Sequence, residues 1–166
     1  MATSSPEAWF KCGALEDDAL LFRRLVGREE LGRLPEYRLE LMRAQRQEPI
    51  AAADLIGLQA SVKLLLSNRE YRYINGWITE IGLGAAVGRF DLYHVTLRPW
   101  LWHLTLGADC RIFQEKNAVE IIQAVFADYT NAQVDVSKLV STPRTRTYCV
   151  QYRESDFNFV SRLMEE

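Results

Sequence analysis

Large and polar side chains alternate along Tyr37-Arg38-Leu39-Glu40-Leu41-Met42, a period of two that places the large set on one side of a strand. Further on, Val62–Leu66 leads through Ser67-Asn68-Arg69-Glu70 into Tyr71–Ile81, where aromatic and β-branched residues dominate. That pattern predicts a strand, a turn and a long strand. Asn75-Gly76 has the composition of a two-residue hairpin turn. Tyr71, Tyr73, Trp77 and Ile81 stay large across it, however, which favours one continuing strand with a bulge or kink at Gly76. After a loose glycine-rich stretch, Phe90, Leu92, His94 and Thr96 alternate with Asp91, Tyr93, Val95 and Leu97 in a third strand that stops at Arg98-Pro99. An antiparallel meander is the expected result. Ala19–Val26 is too short and too uniformly apolar for its period to separate strand from helix.

The period changes after Pro99. A proline fits the first position of a short helix over Trp100–Leu104, where its missing N–H would have had no partner. Asn117 followed three residues later by Glu120 forms a capping-box pattern, and Ile121, Ile122, Val125, Phe126 and Tyr129 repeat at helical spacing with Ile122, Val125 and Phe126 expected inside. Tyr148–Tyr152 reads as a strand. Ser155 or Asp156 then caps a second helix with Phe159, Val160, Leu163 and Met164 on its apolar side. Earlier in the chain, alanines in Ile50–Leu58 predict one helical turn closed by Gly57. A helix that reaches Glu166 without a breaker reads as the front of a longer protein or as a natural frayed end.

Composition narrows the class. The 166 residues are 48% hydrophobic and 25% charged, ordinary for a folded chain of one domain or a domain and part of another. Twenty basic against 22 acidic residues leave a formal charge of −2, with the signs interleaved in the N-terminal part, so no cationic field invites nucleic acid. Cys12, Cys110 and Cys149 are odd in number and lack CxxC spacing, which excludes a disulfide framework and a structural zinc site and reads as reduced core fillers. Met1–Ala8 is small and polar, with no basic segment followed by an apolar one, and offers no signal peptide. No apolar run approaches the roughly 20 residues of a membrane span.

Candidate chemistry is sparse. Gly82-Leu83-Gly84-Ala85-Ala86-Val87-Gly88 resembles a dinucleotide loop, but strand alternation follows where a helix is needed, so a hairpin loop is expected. His94 and His103 form no metal-ligand spacing. A nucleophilic grouping of Cys149, His103 and Asp109 would have to come from folding alone. The doublets Asp17-Asp18, Glu29-Glu30 and Glu165-Glu166 read as solvated surface. Trp100 and Trp102, with Tyr71, Tyr73 and Trp77, could serve as a stacking platform or as core and subunit contact. No catalytic, cofactor-binding or metal-binding residue is assigned.

Several stretches resemble the N-terminal hub domain of the VgrG spike proteins of bacterial type VI secretion systems, relatives of the phage baseplate hub and phage late control D proteins. They are LLFRRLVGREELGRLPEYRLEL (residues 20–41), YHVTLRPWLWHL (93–104), CRIFQ (110–114) with the helix at 119–126, and YCVQYRESDFNFVSRLMEE (148–166). The resemblance implies an α+β fold: a flexible tail at 1–8, an antiparallel β-barrel-like subdomain at 9–98, and the start of a mixed helix and strand subdomain, incomplete, at 99–166.

It also implies a structural, non-enzymatic role without cofactors. The chain would be a hub at the base of a spike that is trimeric in the full-length protein and sits on the hexameric tube protein. The implied partners are tube and baseplate proteins and effectors or adaptors, with no nucleic acid and no membrane span. Such a protein would be cytoplasmic before firing and then leave through the type VI apparatus. A small cytoplasmic hydrolase using Cys149 or a histidine, and an aromatic-lined binding module, are the competing classes.

Overall fold

Strand alternation builds residues 8–98 into one antiparallel sheet. In the computed structural model, which describes residues 7–165 apart from Ala14, Asp17 and Thr142, the chain divides into two compact units, residues 1–99 and 100–166. The first contains β1 (Ala8–Cys12), β2 (Leu21–Arg28), β3 (Glu36–Ala44), β4 (Gln59–Leu65), β5 (Tyr71–Leu83) and β6 (Phe90–Arg98). Their order is β1-β4-β5-β6-β3-β2. The sheet curls until its edge strands β1 and β2 approach each other without pairing. Leu39, Leu41, Val62, Ile74, Ile78, Val95 and Leu97 fill the inside.

Several expectations change here. The inward set of β5 is Ile74, Gly76 and Ile78, while the large Tyr71 and Tyr73 face solvent. Gly76 carries no bulge. It pairs in register with Ala60, and the irregularity falls between Ile78 and Glu80. A Cβ at Gly76 would sit 3.0 Å from the Arg98 carbonyl oxygen and 3.2 Å from Leu97 Cβ, so close backbone approach explains this glycine. Of Ala19–Val26, the residues from Leu21 on are strand, with a register shift between Phe22 and Arg24 in β2. The turn at Ala52–Asp54 is 3-10, and Gly57 closes it at φ +78°. The first six residues of the expected tail lie outside the described residues. Ala8 opens β1, and Glu7 accepts a hydrogen bond from Leu65 N–H at 2.7 Å, so those two positions belong to the sheet.

The second unit opens with a 3-10 helix over Trp100–Thr105 and continues as β7 (Ala108–Lys116), α1 (Ala118–Phe126), β8 (Arg146–Ser155) and α2 (Asp156–Met164). Among the described residues β7 pairs only with β8. Asn117 and Glu120 form the reciprocal capping box. Helix α1 ends at Phe126, and Tyr129 continues only as a turn through its N–H to the Phe126 carbonyl. Ile121 takes the enclosed position expected of Ile122, which is half-buried. Ser155 accepts from Asn158 N–H and caps α2. Phe159, Val160 and Leu163 are buried, whereas Met164 is exposed. Phe113 stacks on Phe159 with ring centroids 5.7 Å apart, and Trp100 meets Phe126 edge-on at 4.9 Å.

Candidate functional site

The polar groups of the first unit serve the sheet. Arg98, at the end of β6, bonds Glu36 at 2.6 Å, Glu80 at 2.8 Å and the Thr79 hydroxyl at 2.9 Å. The Arg98 hydrogen bond holds the Glu36 carboxyl below its ordinary range. Glu29, next to the β2–β3 turn, accepts hydrogen bonds from Tyr37 and Arg72, which lower its pKa. Burial and that same carboxylate raise the Tyr37 phenol to about 12. Glu30 pairs with Arg28 and Arg33, so the Glu29-Glu30 doublet is exposed but fully engaged. Asp17 and Glu166 lie outside the described residues, and their neighbours Asp18 and Glu165 are exposed.

On the outer face of β1, β4 and β5, Lys63 Nζ lies 3.8 Å from the Tyr71 ring centroid and 5.1 Å from that of Trp9. The register places Trp9 and Tyr73 on either side of Lys63. This pattern was hidden in the sequence because the partner Trp9 comes from β1, which reaches β4 only after two other strands have intervened in the chain. Trp77 is half-buried in β5. Trp100 packs in the core of the second unit, and Trp102 lies edge-on to His103 at 5.5 Å. Of the expected platform, Tyr71 and Tyr73 thus share Lys63, whereas Trp100 packs in the core of the second unit.

In the second unit a carboxylate is the centre. Asp156, 6% exposed at its side chain, is the first residue of α2. Arg111 Nη2 donates to both its oxygens at 3.1 Å, Tyr129 Oη at 2.6 Å and Gln151 Nε2 at 2.6 Å. Asp109 and Asp128 flank the same guanidinium at 2.7 and 2.5 Å. Burial, then the hydrogen bond to Asp156, raises Tyr129 to about 12. Sequence patterning missed this network because its members come from β7, the turn after α1, β8 and α2. Its chemistry is structural: Arg111 divides its donors among Asp156, Asp109 and Asp128, Tyr129 donates to Asp156, and Gln151 donates to Asp156 and the Glu154 carbonyl.

The expected reactive groups have their own surroundings. Cys12 and Cys149 are buried, whereas Cys110 is exposed on β7, which corrects the expectation of three core thiols. His94 is exposed on β6 opposite Glu40 and Gly82, with Gly84 directly beneath its ring. Asp109 is taken by Arg111 and the Cys110 N–H. Of the glycine-rich stretch, Gly82 and Leu83 end β5 and the residues after them join β5 to β6 as a hairpin, with the Gly84 N–H bonded to the Leu92 carbonyl at 2.9 Å. Among the described residues no three His, Cys, Asp or Glu side chains gather as a metal site, and no helix is long and apolar enough to cross a membrane.

A curled antiparallel sheet followed by a few helices is the fold of phage-tail-like baseplate hubs. The solved Escherichia coli c3393 protein, described as a type VI secretion component with structural similarity to the T4 tail proteins gp27 and gp5, superposes with a TM-score of 0.74 at 22% identity over 93% of this chain and 42% of its own. A 43 kDa tail protein of prophage MuSo2 from Shewanella oneidensis gives 0.62 at 17% identity over 95% of this chain and 47% of its own. The chain belongs to the phage tail baseplate hub (GPD) family, whose sequence profile matches residues 28–166.

Among curated relatives, the type VI secretion system spike protein VgrG1c of Pseudomonas aeruginosa is 45% identical over 92% of this chain, and VgrG1b of the same organism is 43% identical over 90%. The chain spans 20% of the length of each. The actin cross-linking toxin VgrG1 of Vibrio cholerae is 29% identical over 92% of this chain and 14% of its own length.

Proposed function

We propose that this chain is the hub end of a type VI secretion puncturing spike, with residues 9–98 as the first barrel-like hub subdomain and residues 99–166 as the beginning of the second. The observation that carries the reading is 45% identity to a named spike protein over 92% of the chain, joined to a fold shared with the c3393 protein. The role is mechanical. The full-length protein closes a trimeric ring, seats it on hexameric tube protein, meets baseplate components and carries effectors or adaptors outward through the apparatus. It is cytoplasmic until firing. The hub itself performs no reaction, consistent with charged side chains committed to one another in both units.

The test pairs assembly with export. Light scattering coupled to size exclusion should show the 166-residue chain as monomeric or irregularly associated, because exposed apolar surface seeks partners. The same gene read at the length of its relatives should give a trimer that binds tube rings. Loss of the hub-coding segment should stop release of tube protein from cells. A monomeric long form that ignores tube rings, with release intact, rules the reading out. A clean trimer of the short chain would place the symmetry contacts in the first subdomain.

A further inference from the structure

We propose that residues 133–141 are a strap that closes over the outer side of α1, so that the second unit exchanges between an open groove and a closed form in which Val134, Val136 and Leu139 lie against Val119 and Ile122. The strap belongs to the connection from α1 to β8, residues 127–145, which contains no helix or strand among its described residues. Connections longer than roughly 12–15 residues without secondary structure are uncommon in compact units and usually act as lids or binding loops or stay disordered. The near end of this one is fastened: Tyr129 donates to Asp156 at 2.6 Å, the Ala132 N–H bonds the Tyr129 carbonyl at 3.0 Å, and Ala132 packs on the core. Beyond Ala132 the fastening stops. Among the described residues the hydrogen bonds of 133–141 are internal, from the Ser137 N–H to the Asp135 carboxylate at 2.9 Å and from the Leu139 N–H to the Val136 carbonyl at 3.2 Å. A segment so weakly tied to its unit moves at low cost.

What the strap faces gives that motion a direction. Val134, Val136 and Leu139 line one groove with Val119 and Ile122 of α1, and the groove encloses about 1330 Å³. The three strap residues are 44%, 38% and 56% exposed, and the two on α1 are half-buried. Apolar walls on both sides of a wet space gain by expelling its water. Ordering the strap backbone opposes that gain, so the balance between the two forms answers to the apolar groups on either wall. Asp135 and Lys138 are exposed, and the Asp135 carboxylate is hydrogen-bonded within the strap, so it can move with the segment. Closed, the strap covers Val119 and Ile122; open, it offers them. It therefore gates the apolar side of α1 to any other molecule.

Trypsin cleavage after Lys138 reads the open form in the 166-residue chain, because the rate follows the open population when opening and closing outpace cleavage. Val134→Ser on the strap and Val119→Ser on α1 each remove a closing contact and should speed that cut about threefold or more. The cut after Arg46, exposed in a loop of the first unit, should keep its rate. The double variant should fall short of the product of the single effects, because the two side chains meet in the closed form. Mass spectrometry assigns each cut, and urea unfolding checks the fold; where Val119→Ser lowers the unfolding midpoint, Ile122→Val trims the same wall in its place. Equal or slower cleavage in either single variant means that the strap has no closed form, and effects that multiply mean that the two walls never meet. Either result overturns the inference. Neither trimer formation nor tube binding enters the readout, so the strap and the spike reading can fail separately.

Discussion

The two units bury their apolar residues by different means. In the first, six strands curl so that one face closes on itself around Leu39, Leu41, Val62 and Val95, and charged pairs such as Arg98–Glu36 sit around the sheet where water reaches them. In the second, two strands carry helices on one face only. The cross-strand partners Gln114–Tyr148 and Cys110–Tyr152, with Ile112 between them in β7, share the other face, where Tyr148, Ile112 and Tyr152 are 61%, 64% and 65% exposed. A two-stranded ribbon is marginal by itself. The second unit compensates with a buried carboxylate that ties four elements together, and it leaves apolar surface available for company. A curled sheet is sufficient for its own core, whereas a half-covered ribbon leaves one apolar face open to solvent.

The largest expected effect probes the second core. Phe159 is fully enclosed and stacked on Phe113, so Phe159→Ala should cost about 3–5 kcal/mol. Hydrogen exchange should show the greatest loss of protection in β7, α1, β8 and α2. A cost below about 1 kcal/mol, typical of surface sites, would mean that this unit has no consolidated core. Next comes the carboxylate. Asp156→Asn weakens four charge-assisted hydrogen bonds at a buried position and should cost about 2–3 kcal/mol. Glu36→Gln removes a more accessible partner and should cost less than about 1 kcal/mol. Equal costs in chemical denaturation would erase the distinction between organising and peripheral charge.

What the sequence disclosed follows the same division. Period two in Tyr37–Met42 and period 3.6 after Asn117 are local signals, and both elements formed where those signals stood. β1 and β7 escaped because AWFKC is short and ADCRIFQEK is mostly polar and exposed, which leaves little alternation to read. Which face of β5 turns inward was not legible, because both alternating sets of that strand hold large apolar residues. Tyr71 and Tyr73 cover Lys63 on the outside. The Asp156 network was illegible because it joins residues up to 45 positions apart, and pairings of that span have no local spacing.

Gly76 gives a smaller effect that sharpens the case for the self-closing sheet. Its φ is not in the left-handed region, so alanine suits the backbone there. The obstacle is the Arg98 carbonyl at 3.0 Å, a backbone atom that moves only with its strand. Gly76→Ala should cost about 1–2 kcal/mol through overpacking. Gly13→Ala, where an added Cβ meets nothing within 4 Å, should be close to neutral in thermal unfolding. Similar losses at both would show that close approach of β5 to the end of β6 is dispensable.

The smallest effect separates the units by salt. Tyr37 and Tyr129 are each raised from 10.0 to about 12, chiefly by burial and then by a hydrogen bond to a carboxylate, Glu29 in one case and Asp156 in the other. A raised value means that the folded chain holds the phenol proton more tightly than the unfolded chain. The stability this contributes is therefore complete below pH 10 and is lost as pH rises through about 12. Glu29 is 46% exposed and Asp156 6%, so mobile ions reach the first carboxylate and not the second. Tyrosinate absorbance, resolved with Tyr37→Phe and Tyr129→Phe, should show the Tyr37 titration moving toward 10 in about 1 M salt, where the screening length falls to about 3 Å, while that of Tyr129 stays in place. If both move together, Asp156 is as open to solvent as Glu29, and the contrast between a buried organising acid and a peripheral one is lost.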